Sequence, residues 1–186
     1  MASTDDARLR HESQEPVASP PGTPSSASNG TPAVASNIVD KKYETSTLSE
    51  IAAAPISALQ GLAESADAHG EQLKLTSVRA LGTNKHVAWA RALVALAPYE
   101  LPEHRAAAST LNVNLALDKA HEGKTLKEIV ELPPSALQGV AAHADDAWAE
   151  LGVKSIGDLG SWKFAAAAHA IATLAECEAS DVSQHK

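Results

Sequence analysis

The chain has 186 residues, with 15 Lys and Arg against 23 Asp and Glu, for a formal net charge of −8. That balance argues against a phosphate-rich partner, because affinity for duplex nucleic acid comes mainly from Lys and Arg neutralising backbone charge. The single cysteine, Cys177, excludes an intrachain disulfide, and aromatics make up only 3% of a chain whose apolar 44% is largely alanine. Alanine buries little area per residue, so the core must be thin and built by close helix–helix approach.

Taken in chain order, Met1 to Arg10 is polar and charged and leads into no apolar run, so no secretory signal is legible there. The stretch Pro16 to Pro32 is rich in Pro, Ser, Thr and Gly and cannot bury enough apolar area to offset its ordering entropy. Residues 1–36 therefore read as a disordered tail. The longest apolar stretch, Phe164 to Ala175, is too short and too alanine-rich to span a bilayer. The expectation is a soluble, cytoplasmic protein with no membrane partner. Cys177 is expected as a partly buried small residue near a helix end.

The strongest signal is internal. Thr47-Leu-Ser-Glu-Ile-Ala-Ala-Ala-Pro-Ile-Ser-Ala-Leu-Gln-Gly61 matches Thr125-Leu-Lys-Glu-Ile-Val-Glu-Leu-Pro-Pro-Ser-Ala-Leu-Gln-Gly139, 78 positions later. The offset holds without a gap to Glu100 and Glu178. It pairs Asp67 with Asp145, Ser77 with Ser155, Leu81-Gly82 with Leu159-Gly160 and Lys85 with Lys163, and upstream it pairs Asp40-Lys41 with Asp118-Lys119. This reads as a duplication: a first helical repeat at 37–100, a linker helix at 101–124, a second repeat at 125–178 and a disordered C terminus at 179–186.

Within each copy, Thr47 with Glu50 and Thr125 with Glu128 have the spacing of a capping box, and Pro55 and Pro133 stop the short helix that follows. Ser57 and Ser135 are the next candidate caps, and Gly61 and Gly139 offer the left-handed conformation of a tight turn. A third helix spans about 63–73 and 141–151, ended by Gly152 in the second copy and by Lys74 in the first. Ser77 to Gly82 and Ser155 to Gly160 form brief turns. A long helix then starts at Thr83 or Ser161 and runs to about Ala97 or Glu176. Between the copies, Pro102 to Gly123 reads as another helix through Ala106, Leu111, Leu115 and Leu117. No segment alternates in the manner of a strand. The fold class expected is all-α: two tandem copies of a small helical unit joined by a linker helix, after a disordered tail.

The phrase Leu151-Gly-Val-Lys-Ser-Ile-Gly-Asp-Leu159, set between two helices, resembles helix-hairpin-helix modules, including the C-terminal domain of the RNA polymerase α subunit and related SAM-like folds. The first copy carries the weaker version, Leu73-Lys-Leu-Thr-Ser-Val-Arg-Ala-Leu81. DNA-binding members of that group have a Gly-hydrophobic-Gly hairpin facing a phosphate. Here Leu59-Gln-Gly-Leu-Ala63 and Leu137-Gln-Gly-Val-Ala141 carry alanine in place of the second glycine. The resemblance then implies a helical protein-interaction or dimerisation module.

Candidate chemistry is sparse. Thr83 with Lys85, and Ser161 with Lys163, put a cap residue and a lysine at a helix start in both copies, where free amides and the helix dipole can hold an anion. The plainer alternative is that Thr83 and Ser161 cap the helix and the lysines lie along its surface. The histidines do not recur: His69 pairs with Ala147, His86 with Phe164, His143 with Ser65 and His169 with Arg91. His143 with Asp145 and Asp146 could lend ligands to a metal, but zinc-type spacing is absent, so no metal is expected. No phosphate loop or catalytic triad is legible. Trp148 and Trp89 are expected in the core and Trp162 exposed at a helix start. From Thr47 to Glu100 the net charge is 4 − 5 = −1; from Thr125 to Glu178 it is 3 − 8 = −5. Nucleic acid, if it is met at all, would meet Lys74, Arg79, Lys85 and Arg91. The function expected is a non-enzymatic interaction, scaffold or adaptor protein without cofactor, with a protein partner or self-association. A nucleic-acid-associated regulator is the alternative, and an enzyme or metal-binding protein comes third.

Overall fold

The computed structural model describes residues 37–101 and 112–179. The tail read at 1–36 lies outside them, as do 102–111 and 180–186. The described residues are helical and form no strand.

Helix α1 (Leu48–Ala53) opens on a complete capping box: the Glu50 amide donates to Thr47 Oγ1 at 3.1 Å and the Thr47 amide donates to Glu50 Oε2 at 2.8 Å. A single 3-10 turn at Ile56–Ala58 follows Pro55. Then come α2 (Ser65–Gln72), α3 (Val78–Gly82) and α4 (Lys85–Leu96). The second half runs through α5 (Leu126–Val130), a 3-10 turn at Pro134–Ala136, α6 (Ala144–Glu150), α7 (Ile156–Ser161) and α8 (Lys163–Ala175). Thr125 and Glu128 close the same box on α5, with amide distances of 3.2 and 2.8 Å.

Many non-helical links recur 78 positions apart. Val39 bridges Leu59, and Leu117 bridges Leu137. The Asp40 amide donates to the Ala58 carbonyl at 2.9 Å, and the Asp118 amide to the Ala136 carbonyl at 2.9 Å. The Val78 amide reaches the Ala54 carbonyl, and the Ile156 amide the Leu132 carbonyl. Gly61 (φ 101°) and Gly139 (φ 87°) take the left-handed conformation. At the end of α6 Gly152 (φ 80°) does the same, whereas α2 is ended by Lys74 at φ 60°, where a Cβ costs energy.

Several expectations are corrected. Ser57 and Ser135 cap nothing: they sit inside the 3-10 turns, and their amides donate to Asp67 Oδ1 and Asp145 Oδ1 at 2.9 Å each. The linker helix fails over its described part. Asn114–Ala116 and Lys119–His121 are separate 3-10 turns, and Leu117 between them is extended, held by its bridge to Leu137. That pairing sends the Asp118 amide to the Ala136 carbonyl at 2.9 Å and the Gln138 amide to the Ala116 carbonyl at 3.0 Å, which takes these groups out of any continuous helix. The part of the linker at 102–111 lies outside the described residues. Cys177 is exposed.

The two halves do not pack as two beads. The long helix of each lies on the short helices of the other: α4 packs on α7 and α5, and α8 on α3 and α1. Helix α2 meets α6. Glycine permits the approach. A Cβ on Gly160 would lie 2.6 Å from the Ala90 carbonyl oxygen, and a Cβ on Gly82 would overlap the Ala168 carbonyl. Ala90, Ala165, Ala168 and Ala172 are buried along the two long helices, so close contact substitutes for side-chain bulk, as the alanine-rich composition requires. A single hydrophobic core runs through both halves, from Val39 to Ala175. Trp148 and Trp162 are both buried and meet edge to face at 6.0 Å, and Trp162 meets Phe164 at 5.4 Å. Trp162 at the start of α8 is therefore core. Trp89 is only half-buried. Among the described residues no helix is long and apolar enough to cross a membrane.

Candidate interaction surface

The helix starts are built differently from each other. In α4 the cap is Asn84, whose Oδ1 accepts from the His86 amide at 2.9 Å and the Val87 amide at 3.2 Å. Thr83 turns back instead, and its hydroxyl donates to the Arg79 carbonyl at 2.8 Å. In α8 the cap position is held by Trp162, which offers no side-chain acceptor, and Ser161 is the last residue of α7. Thr83 and Ser161 are thus not the cap residues. Asn84 already occupies two of the amides an anion would need at α4. The lysines lie on aromatic faces: Lys85 Nζ is 5.1 Å from the Trp89 ring centre and Lys163 Nζ is 4.7 Å from that of Phe164, a cation–π arrangement.

The basic residues of the first half are dispersed. Lys74 follows α2, Arg79 lies on α3 and pairs with Glu176 at 3.7 Å, and Lys85 and Arg91 share α4. Arg79 and Glu176 are both solvent-accessible, and such a pair contributes little.

The tight turns at Gly61 and Gly139 are exposed, and each has one ring of the opposite half beside it. The Phe164 ring stands 3.5 Å from the place of a Cβ on Gly61. His86 occupies the corresponding position over Gly139, and its Nε2 lies 3.1 Å from the Gln138 carbonyl oxygen. Because that oxygen only accepts, Nε2 is the donor. Burial holds the His86 pKa below its ordinary value; the bond to Gln138 pulls it back up and the charge on Lys85 pushes it down further.

Two carboxylates complete the exchange. Glu178, just beyond α8, accepts from the Leu48 amide at 2.7 Å and the Ser49 amide at 2.9 Å at the start of α1. Glu100, just beyond α4, accepts from the Lys127 amide at 3.3 Å at the start of α5. Burial would raise the Glu178 pKa, but the hydrogen bonds from Ser49 and Leu48 outweigh it and hold it below the usual range. Each half's C-terminal carboxylate thus satisfies amides of the other half's first helix.

One open cleft is largely apolar. It has a volume of about 370 Å³ and is lined by Trp89, Asn112, Val113, Leu115 and Ala116. Leu115 is 92% exposed. Leu96, Tyr99 and Leu101 are also exposed. Among the described residues no group of three or more His, Cys, Asp and Glu is placed to hold a metal; Asp145, considered above beside His143, is engaged with Ser135.

Sequence reasoning missed His86, Phe164 and Glu178 as contacts between halves. A signal was available: 86 and 164 stand 78 positions apart and carry unlike side chains. No family model matches the chain, and neither a curated protein nor a solved structure matches it.

Proposed function

We propose that this chain is a non-enzymatic protein-interaction or adaptor protein. In this reading it consists of two copies of one helix-hairpin-helix-like unit, which complete each other through exchanged long helices. The partner docks on the apolar surface around Trp89 and Leu115. The observation that carries the reading is that cleft with its neighbouring exposed Leu115, since exposed apolar patches on a charged chain mark contact sites. The recurring carboxylates have structural employment, which supports the reading: Glu50 and Glu128 close capping boxes, while Asp67 and Asp145 hold the amides of Ser57 and Ser135. The turns at Gly61 and Gly139 each lie beside a ring of the other half, Phe164 and His86, while the glycines themselves stay exposed.

The test is capture of a partner by the native chain and by Leu115→Asp. This position is exposed, so the variant should keep its melting temperature within about 1–2 °C. Loss of a specific partner with the fold intact supports the reading, and undiminished capture refutes it. The charge contrast between the halves favours Lys74, Arg79, Lys85 and Arg91 as the surface of a second reading, binding to nucleic acid. A gel shift that fades steeply with salt and is lost in a variant neutralising those four residues would favour it.

A further inference from the structure

We propose that a second cleft, between α4 and α8, binds a small organic carboxylate with Arg91 as its counter-ion. This cleft has a volume of about 340 Å³ and is lined by Gly82, Val87, Ala88, Arg91, Ala92 and His169. Arg91 and His169 stand 78 positions apart, so each half contributes the same position of its long helix to the site. Arg91 is half-buried and has no hydrogen-bond or ion-pair partner among the described residues. Arg79 does not line the cleft and is paired with Glu176, so the guanidinium of the lining is that of Arg91.

The His169 ring is fixed. Its Nδ1 lies 3.1 Å from the Gly82 carbonyl oxygen. Since a carbonyl only accepts, Nδ1 carries the hydrogen, and Nε2 at the other edge of the ring is left without that bond. The remaining wall is Val87, Ala88 and Ala92, which are hydrocarbon. One planar guanidinium matches one carboxylate through two parallel hydrogen bonds. A phosphate dianion would leave charge uncompensated against an apolar wall. A carboxylate carrying a short alkyl or aryl body meets both requirements. The proposal is independent of any protein partner at Leu115.

The experiment is titration of the full chain with benzoate, followed by amide NMR shifts. Saturable shifts are expected at Gly82, Ala88 and Ala92, together with a rise in melting temperature at saturation, because a ligand that bridges both halves stabilises the folded state. Arg91→Gln should weaken binding roughly tenfold or more, and Arg91→Lys by less. Arg79→Gln should leave it unchanged. Ala88→Leu, which fills the cleft while keeping Arg91, should abolish it, so the proposal does not rest on one variant's folding. Absence of saturation, or equal binding by the native chain and Arg91→Gln, would overturn the proposal. Inorganic phosphate binding more tightly than benzoate would overturn the carboxylate assignment.

Discussion

The stretches 47–100 and 125–178 share their backbone devices but not their side chains. Position 70 is glycine where position 148 is tryptophan, and position 84 is asparagine where position 162 is tryptophan. In the first half a Cβ on Gly70 would lie 2.8 Å from Ile56 Cδ1 and from the Leu75 carbonyl oxygen; Ile56 fills that space. In the second half Pro134 stands where Ile56 stands, and bulk comes from the cluster Trp148, Trp162 and Phe164. The starts of the long helices follow suit. Asn84 satisfies two amides with its side chain, whereas Trp162 gives up that capping and is buried instead. The two long helices thus start in different ways, one polar and one aromatic. What the two halves cannot vary is the close approach of Gly82 to α8 and of Gly160 to α4, because there the neighbour is backbone.

The comparison is broken most directly at its aromatic end. Trp162→Ala should cost about 4 kcal/mol of unfolding free energy, as truncation of a buried aromatic does, against about 1 kcal/mol for the equivalent Asn84→Ala, which removes a cap. Urea unfolding of both variants measures the ratio; equal costs would deny that the halves solve the helix start differently. Next, Gly82→Val and Gly160→Val should each cost about 3 kcal/mol by forcing a helix off its partner. A neutral result at either glycine would refute the exchanged packing.

Smaller effects sharpen the picture. Lys74→Gly should stabilise the protein by about 1 kcal/mol and Gly152→Lys should destabilise it by about as much, because only glycine is unstrained at positive φ. Last comes the pH dependence. The His86 pKa is lowered in the folded state, so the unfolded chain binds the proton more readily. Its contribution is fully present above the ordinary histidine value of 6.5 and is lost as pH falls through the window below it. His86→Phe, which copies position 164, should flatten the melting temperature over that window. Glu178 behaves in the same direction at lower pH: its pKa is lowered, so its contribution is present above the ordinary carboxylate range and fades as pH falls through the depressed value. Glu178→Gln should remove that fading, read as melting temperature against pH.

The local devices were legible. Thr47 with Glu50 and Thr125 with Glu128 were readable as capping boxes, and Gly61 and Gly139 as left-handed turns, because each rests on residues within a few positions of one another. The misreadings lie where a distant group decides. Ser57 and Ser135 looked like caps until Asp67 and Asp145 took their amides. Leu117 looked helical until Leu137 paired with it. Trp162 looked exposed because it stands at a helix start, until the rings of Trp148 and Phe164 met it.

By itself the sequence determined that this chain is helical, where its short helices start and stop, and that alanine supplies part of its core. These follow from capping, proline and the volume of a methyl side chain, all short-range properties. Only the tertiary structure decided that α4 lies on α7 and α8 on α3. The buried face of α8 is mostly alanine and that of α4 is Val87, Ala90 and Leu93, and neither names its partner in one dimension. The choice falls to the places where a missing Cβ lets two backbones meet.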